Sequence, residues 1–528
     1  MPRVVSKQLA FPMAGVSRRG EYREMATPPY ATPWALNVRG ESPIERRKRG
    51  GSRPGLVKYL AQDFGTTISA VISVTSVDSD QARHQDLVVV ADGVCYSVRS
   101  GALLTLDTAW QTAAGEAIQT ASGDAIEWDS TVSATVNSAV ERGGMLYLVD
   151  SGLKSWNPTT GIVATIVATD GAIPTGCKYA CLYRDRLFLY GEDHVWYCSR
   201  QGDLTDWGLS RDMGDVGRAI AGQIDRAGRI GEPITAMIPN NDQSMLISTK
   251  NGMWLLRGDP TDGSISLVSE EIGAITNTAW ARAPNGLVAF LSNDGVYVVG
   301  GDGSPPVKWS TDRVPDELRA VNTSTNTISM AYEAKSNGFH LFVTPSTGVG
   351  THWFMDADKK AIWPVMFADE HQPLAAARIA SLTGDLSDVV LGCKDGILRK
   401  FDDLAEDDDG ISIQSHVLLG PIKLSSNEME DAVLSEIHGV LADNSGTVTW
   451  RVVTGKSAEE ATDAAVDGID AVIAGSVGTY PKGDWKDNRN LVEYPRARGP
   501  WAIIWLASKA RWAYDSVTLR INQLGRLR

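Results

Sequence analysis

One short turn recurs along residues 60–400 and constrains the fold more than any other feature of the sequence. A small polar residue, a glycine and an apolar residue open an alternating strand in ADGVCYSV (Gly93), DSGLKSW (Gly152), KNGMWLL (Gly252), NDGVYVV (Gly295), SNGFHLFV (Gly338) and KDGILRKF (Gly396). GEDHVWYC, around Asp193, is a degenerate copy. Asn-Gly and Asp-Gly between alternating strands signal hairpins, because type I′ turns need positive φ at both central residues. The glycine-to-glycine steps are 59, then 100 across the degenerate copy, then 43, 43 and 58 residues. The shorter step fits one four-stranded blade of a β-propeller, and the longer ones leave room for inserted loops. A single four-stranded sheet cannot cover its own two faces, so blades must pack radially against one another. Six or seven blades are expected, although no WD-type signature is present. Gly252, Gly295 and Gly338 should occupy equivalent places in consecutive blades. Trp156, Trp196, Trp254, Tyr297 and Phe401 are candidate core residues on the strands that follow the turns.

Residues 411–528 read as a second unit. GTVTWRVVTG and WAIIWLASKARWAYDSVTLRINQLGRLR alternate with period two, which predicts a small antiparallel β-sandwich. Between them, SAEEATDAAVDGIDAVIAG is the one helix-like stretch. The joint, FDDLAEDDDG at 401–410, carries six acidic residues. It reads as a solvated linker, since its spacing lacks the ligand offsets and central glycine of an EF-hand loop. The expected fold is all-β: an extended basic N-terminal arm (1–59), a β-propeller (60–400), an acidic linker (401–410) and a sandwich-like domain (411–528). The closing LGRLR directly follows a strand, so this end should be tied to the fold or to a neighbour.

Apolar content of 43% and charged content of 22% exclude wholesale disorder, and 51 glycines with 16 tryptophans suit an all-β protein. The net charge of −14 is uneven: residues 1–60 hold 12 Lys/Arg against 4 Asp/Glu, leaving −22 on the rest. Such asymmetry serves docking, and an acidic body has the wrong balance for gripping DNA. No apolar run approaches the roughly 18 residues of a membrane span, and no signal core is visible at the start, so assembly in the cytoplasm is expected.

Five cysteines, an odd number, argue against a disulfide framework. Cys177, Cys181, His194 and Cys198 have a zinc-like rhythm. Yet GCKYACLYRDRLFLYG reads as strand and no helix follows to carry the later ligands, which favours small buried structural cysteines. Nucleophile-elbow, zincin, Walker A and dinucleotide fingerprints are all missing. The seven histidines are scattered singly, and His352 beside Trp353 reads as packing. No catalytic residue, cofactor or metal ligand is assigned. A glycosidase carboxylate pair drawn from different blades would leave no local motif, so a glycan-cleaving enzyme stays as a third reading.

The arm contains PPYATPWALNVRGESPIERRKRGGSRPGL, residues 28–56. Its five prolines stop helix and sheet ladders alike, while Gly50-Gly51 and Gly55 permit tight turns. Arg39, Arg46, Arg47, Arg49 and Arg53 need carboxylates, from this chain or from a neighbour. Tyr30, Trp34, Leu36 and Val38 are out of place in a solvated tail, so the segment should be a strap ordered by protein contacts. Exposed ion pairs contribute little, so Tyr30, Trp34 and Leu36 should matter more than any one arginine. Deleting 28–56 is expected to leave the propeller folded and to stop assembly.

YATPWALNVRGESPIERRKRGGSRPGL resembles the opening of a large group of tailed-bacteriophage virion proteins. YRDRLFLYGEDHVWYCSRQGDLTDWG (183–208) and the closing RGPWAIIWLASKARWAYDSVTLRINQLGRLR are similar to the same group. The resemblance covers both ends and part of the middle. It implies a propeller-bearing tail component of nozzle or hub type, a non-enzymatic structural protein of the virion. Such a protein forms a homo-oligomeric ring, expected to be a hexamer, that continues the DNA channel below the connector. Its partners would be connector or adaptor ring proteins and tail fibres or tail-tip proteins, with viral DNA passing without specific binding. The assembly residues would be Tyr30, Trp34, Leu36, Arg39, Arg46, Arg47, Arg49 and Arg53, with Arg526 and Arg528 of the Gly-Arg-x-Arg ending. The alternative is a tail-tip module that binds host glycan.

Overall fold

The turn-and-strand repeat builds a ring of seven antiparallel four-stranded blades among the described residues. In this computed structural model those residues are 3–77, 83–91, 94–99, 102–105, 138–149, 152–158, 163–209, 214–222, 230–311, 313–314, 316–381, 386–425, 430–473 and 480–526. Blades 1 to 6 occupy residues 68–105, 138–165, 179–222, 234–269, 280–308 and 326–365. Each first strand packs beside the first strand of the next blade, except between blades 4 and 5, which share one apolar cluster. Middle strands such as Ser244–Thr249, Val288–Ser292 and Gly295–Val299 are buried at every position. Burial on both faces is what radial packing demands of a sheet.

Blade 7 departs from the expected boundaries. Residues 373–402 supply three of its strands, and the fourth is Gly55–Asp63, paired antiparallel to Ile397–Asp402. The N-terminal region thus closes the ring, because Pro373–Ile379 in turn packs on Ile68–Val77 of blade 1. A boundary at 59/60 falls inside a strand.

The turn glycines also need one correction. Gly152, Gly252, Gly295 and Gly396, with the degenerate Asp193, all lie at the turn between the second and third strands of their blades. Gly338 instead follows the first strand of blade 6, whose second strand is Gly338–Pro345 and third His352–Asp356. The second 43-residue step is therefore coincidental. Gly93 lies outside the described residues. At Gly396 the glycine is required: φ is +81° and a Cβ would meet the Thr66 carbonyl oxygen at 2.6 Å.

The C-terminal unit is a sandwich of two sheets. One holds Arg3–Leu9, Tyr514–Arg526, Glu430–Leu441 and the short Asn488–Arg489 and Ala497–Gly499; the other holds Ala35–Leu36, Ser415–Lys423, Trp501–Ser508, Val448–Gly455 and Lys482–Trp485. The Ala-rich stretch forms the helix Ala458–Ile473, capped by Ser457 Oγ, which accepts from the Glu460 N–H at 3.0 Å. Its small face of Ala458, Ala461, Ala465 and Ile469 lies on the outer side of the second sheet, against Leu418, Val453, Ile503 and Trp505.

The acidic joint is not a solvated linker. Asp407–Asp408 pairs with Ile411–Ser412 and Asp408 with Leu56, Asp408 is 3% exposed, and Asp403, Asp408 and Asp409 each hold an arginine.

Candidate functional site: the basic strap

Residues 3–63 thread through both domains. Arg3–Leu9 forms an edge of one sandwich sheet, Ala35–Leu36 joins the other, and Gly55–Asp63 completes blade 7. Between these anchors the strap runs against the outermost strand of blade 6, Ala361–Val365. Val16 N–H donates to the Ile362 carbonyl at 3.0 Å and Asn37 N–H to the Pro364 carbonyl at 3.0 Å. On its other side it bonds the sandwich: Ser52 N–H to the Trp512 carbonyl at 3.0 Å, and Tyr514 N–H to the Gly50 carbonyl at 2.9 Å. Phe11 packs on Trp363 of blade 6 and on Trp512 and Tyr514 of the sandwich, with ring centroids 5.7–6.5 Å away. Gly50 must be glycine there, since a Cβ would sit 2.2 Å from the Phe11 ring and φ is +85°.

The sequence-predicted residues separate into two groups. Leu36, Arg39 and Arg53 are buried within this chain. Trp34 is half-buried against the helix cluster, and its carbonyl accepts from the Leu418 N–H at 3.2 Å. Tyr30 is half-buried at a positive φ of 46°. Arg46 pairs with Asp403. Arg47 pairs with Glu45, at 2.9 Å, and Arg49 donates to the Ile44 carbonyl at 3.4 Å. Arg526 ends the last strand, opposite Glu430, and Arg528 lies outside the described residues.

Two of the strap's arginines build buried polar centres. Arg53 makes a bidentate pair with Asp408, donates from Nε to Asn37 Oδ1 at 3.0 Å and from Nη2 to the Met366 carbonyl at 3.2 Å. Its guanidinium lies over the Phe367 ring at 4.6 Å. Arg39 donates from Nη1 to Glu333 Oε2 at 3.0 Å, and its guanidinium carbon lies 3.9 Å from the centroid of Phe354. His340 Nε2 is 3.1 Å from the same Glu333 oxygen, with its ring stacked on Phe401 at 4.6 Å. Burial alone would raise the Glu333 carboxyl, but the charge of Arg39 and the bond to His340 outweigh it and hold the group at about 2. Burial pulls His340 below its ordinary value.

Sequence reading overlooked Phe11, Asn37 and Glu333. Phe11 could have been suspected as a large apolar residue beside a proline. Asn37 and Glu333 leave no recognisable motif, because partners such as Met366 for Asn37 and Arg39 for Glu333 lie about 300 residues away in the chain. The strap's contacts also bear on the expectation that deleting 28–56 spares the propeller. Val38 and Leu56 belong to the central core cluster, and Arg39 and Arg53 leave buried carboxylates behind if removed. Loss of the segment is therefore expected to open blades 6 and 7.

No group of three or more His, Cys, Asp or Glu converges as a metal site among the described residues. Cys181 lies on the first and Cys198 on the third strand of blade 3, with Cys177 just before the first; all three are buried, and burial pushes the Cys177 and Cys198 thiols up to about 11. Among the described residues no helix is long and apolar enough to cross a membrane.

No protein-family model and no curated protein matches the sequence. Among solved structures, the chain is similar to the extracellular domain of a hybrid two-component system from B. thetaiotaomicron. The identity is 11% and the TM-score 0.42, over 76% of this chain and 45% of that one, so this chain spans less than half of that protein. It is also similar to the computationally designed Ika8 protein (14% identity, TM-score 0.37, 66% of this chain and 99% of that one). The WD40 β-propeller domain of Doa1 matches at 10% identity and a TM-score of 0.35, over 66% of this chain and 96% of that one. The fold is an all-β propeller.

Proposed function

We propose that this chain is a structural component of a bacteriophage tail, forming a homo-oligomeric ring around the path of the DNA. The observation that carries the reading is the interlock of propeller and sandwich. A strand from each end of the strap is built into a different domain, with a core of aromatics and buried ion pairs between them. A ring that bears force during DNA passage needs subunits that do not hinge, and this strap removes the hinge. The likeness of residues 30–56, 183–208 and the closing strands to virion proteins supplies the tail context. The charge of −22 outside residues 1–60 suits a wall past which DNA slides without sticking. In this reading the protein resides in the virion tail after assembly in the host cytoplasm, its neighbours are other tail and connector rings, and it has no catalytic role.

Electron microscopy of the purified chain tests it. A closed ring with an axial pore is expected, and a particle that stays monomeric at all concentrations overturns the ring. Incubation with host polysaccharide should leave the glycan intact. Cleavage abolished by a single carboxylate-to-amide change would make the protein an enzyme instead.

A further inference from the structure

Leu491, Val492 and Tyr494 crowd three large apolar side chains into four residues, at 86%, 40% and 63% exposure. Single exposed apolar residues are ordinary on protein surfaces, whereas contiguous ones rimmed by polar groups mark interaction sites. This segment is not a loose loop. It runs along the open edge of Glu430–Leu441, where Ile437 and Glu493 exchange both backbone hydrogen bonds at 2.9 Å. Lys486, Arg489 and Arg496 flank the apolar side chains and have no ion-pair partner among the described residues, while Arg498 is taken by Asp431 at 2.8 Å. Asp487 and Glu493 reduce the local balance without reversing it.

A complementary surface lies elsewhere on the same domain. On the helix Ala458–Ile473, Glu459, Asp463, Asp467 and Asp470 fall at i, i+4, i+8 and i+11, all exposed, and the helix contains no Lys or Arg. Like charges four residues apart work against a helix, and acids in its last turns oppose its dipole. The stripe therefore weakens the lone chain. Half-buried Val466 and the exposed Ile473 offer apolar ground beside it.

We propose that the segment 486–496 of one copy docks on the outer face of this helix in a second copy. The two surfaces are opposite in sign, and among the described residues no ion pair joins them within one chain. One is an edge of the sandwich and the other a face, so their meeting is head-to-tail, the kind of contact that closes into a ring when the rotation permits. Leu491 and Tyr494 supply the apolar anchors, and Arg489 and Arg496 set the register against Asp463 and Asp467. The proposal rests on the ring reading above and adds the surfaces that build it.

Charge-swap variants of the full chain, followed by sedimentation and native mass spectrometry, provide the test. Arg489→Glu with Arg496→Glu should weaken self-association about tenfold or more, as should Asp463→Lys with Asp467→Lys. Mixing the two variants, or combining all four changes in one chain, should restore assembly. Tyr494→Ala should weaken it without altering charge, and circular dichroism checks that each variant keeps its fold. A wild-type chain that assembles while every variant assembles equally well overturns this docking and leaves the ring intact. A wild-type chain that remains monomeric at high concentration overturns the ring reading itself, and this docking with it.

Discussion

Lys48 and Arg53 stand five residues apart in one strap, and both pair with an aspartate from far along the chain. Lys48 meets Asp358 at 2.8 Å with side chains 57% and 45% exposed; Arg53 meets Asp408 with side chains 0% and 5% exposed. The chemistry is alike and the surroundings are not. Around Lys48, water screens the charges and competes for both partners. Around Arg53, water is replaced by Asn37, two backbone carbonyls and the face of Phe367, so either partner left alone has nowhere to put its charge. A basic cluster in a sequence is thus two things at once: a set of surface charges and a set of internal rivets. Burial alone decides which is which.

The largest expected effect comes from removing the rivets together. A chain lacking residues 28–56 loses two buried arginines, the core residues Val38 and Leu56, and the start of the strand that closes blade 7. It should lose cooperative unfolding by circular dichroism and become sensitive to protease across blades 6 and 7. A truncated chain that melts like the wild type would erase the distinction between rivet and surface charge.

Next comes Arg53 alone. Arg53→Met should cost about 3–5 kcal/mol, because it strands the buried Asp408 carboxylate. The double variant Arg53→Met with Asp408→Leu should recover most of that loss, since a buried pair replaced by apolar groups of like volume is often neutral. Chemical denaturation of the four species gives the coupling. Equal losses in single and double variants would show that the pair's hydrogen bonds, and not the stranded charge, carry the effect.

Glu333 sharpens the same contrast through pH. Its folded value of about 2 lies below the ordinary 4.5, so its contribution is fully present above 4.5 and is lost as pH falls through 2. That contribution is about 3 kcal/mol by linkage. In Arg39→Met, burial acts on Glu333 without the opposing cation, so its folded value should rise. The gap in stability between wild type and variant should therefore shrink as pH drops from 7 toward 3. A gap that stays constant over that range would mean Arg39 acts by packing on Phe354 and not by its charge.

The two kinds of charge were not equally legible. The Asp-Gly and Asn-Gly turns revealed the propeller, because a hairpin is local and its glycine is demanded by the backbone itself. Gly338 misled for the same reason: a good turn signal says that two strands meet and not which two strands of a blade. The helix was visible in its alanine content. Arg39, Arg47 and Arg53 look alike in the sequence, since burial is a property of what arrives from elsewhere. Glu333 and Asp408 come from blade 6 and the acidic joint. The closing strand Gly55–Asp63 does alternate in part, but its partner sits more than 300 residues away, and no period links them.

The smallest effect should be at Lys48. Asp358 also accepts from Asn337 Nδ2 at 2.7 Å and Asp356 Oδ1 accepts from the Asp358 N–H at 2.8 Å, so the turn is already held without the lysine. Removing the lysine leaves a carboxylate that water can solvate, so nothing is stranded. Lys48→Ala should therefore change stability by about 0–1 kcal/mol. The difference should fade as salt rises, because at about 1 M the Debye length is only about 3 Å. Thermal melts of both proteins at low and high salt provide the check. A loss comparable to that of Arg53→Met, or one indifferent to salt, would mean that Lys48 is desolvated in the assembled particle and belongs with the rivets after all.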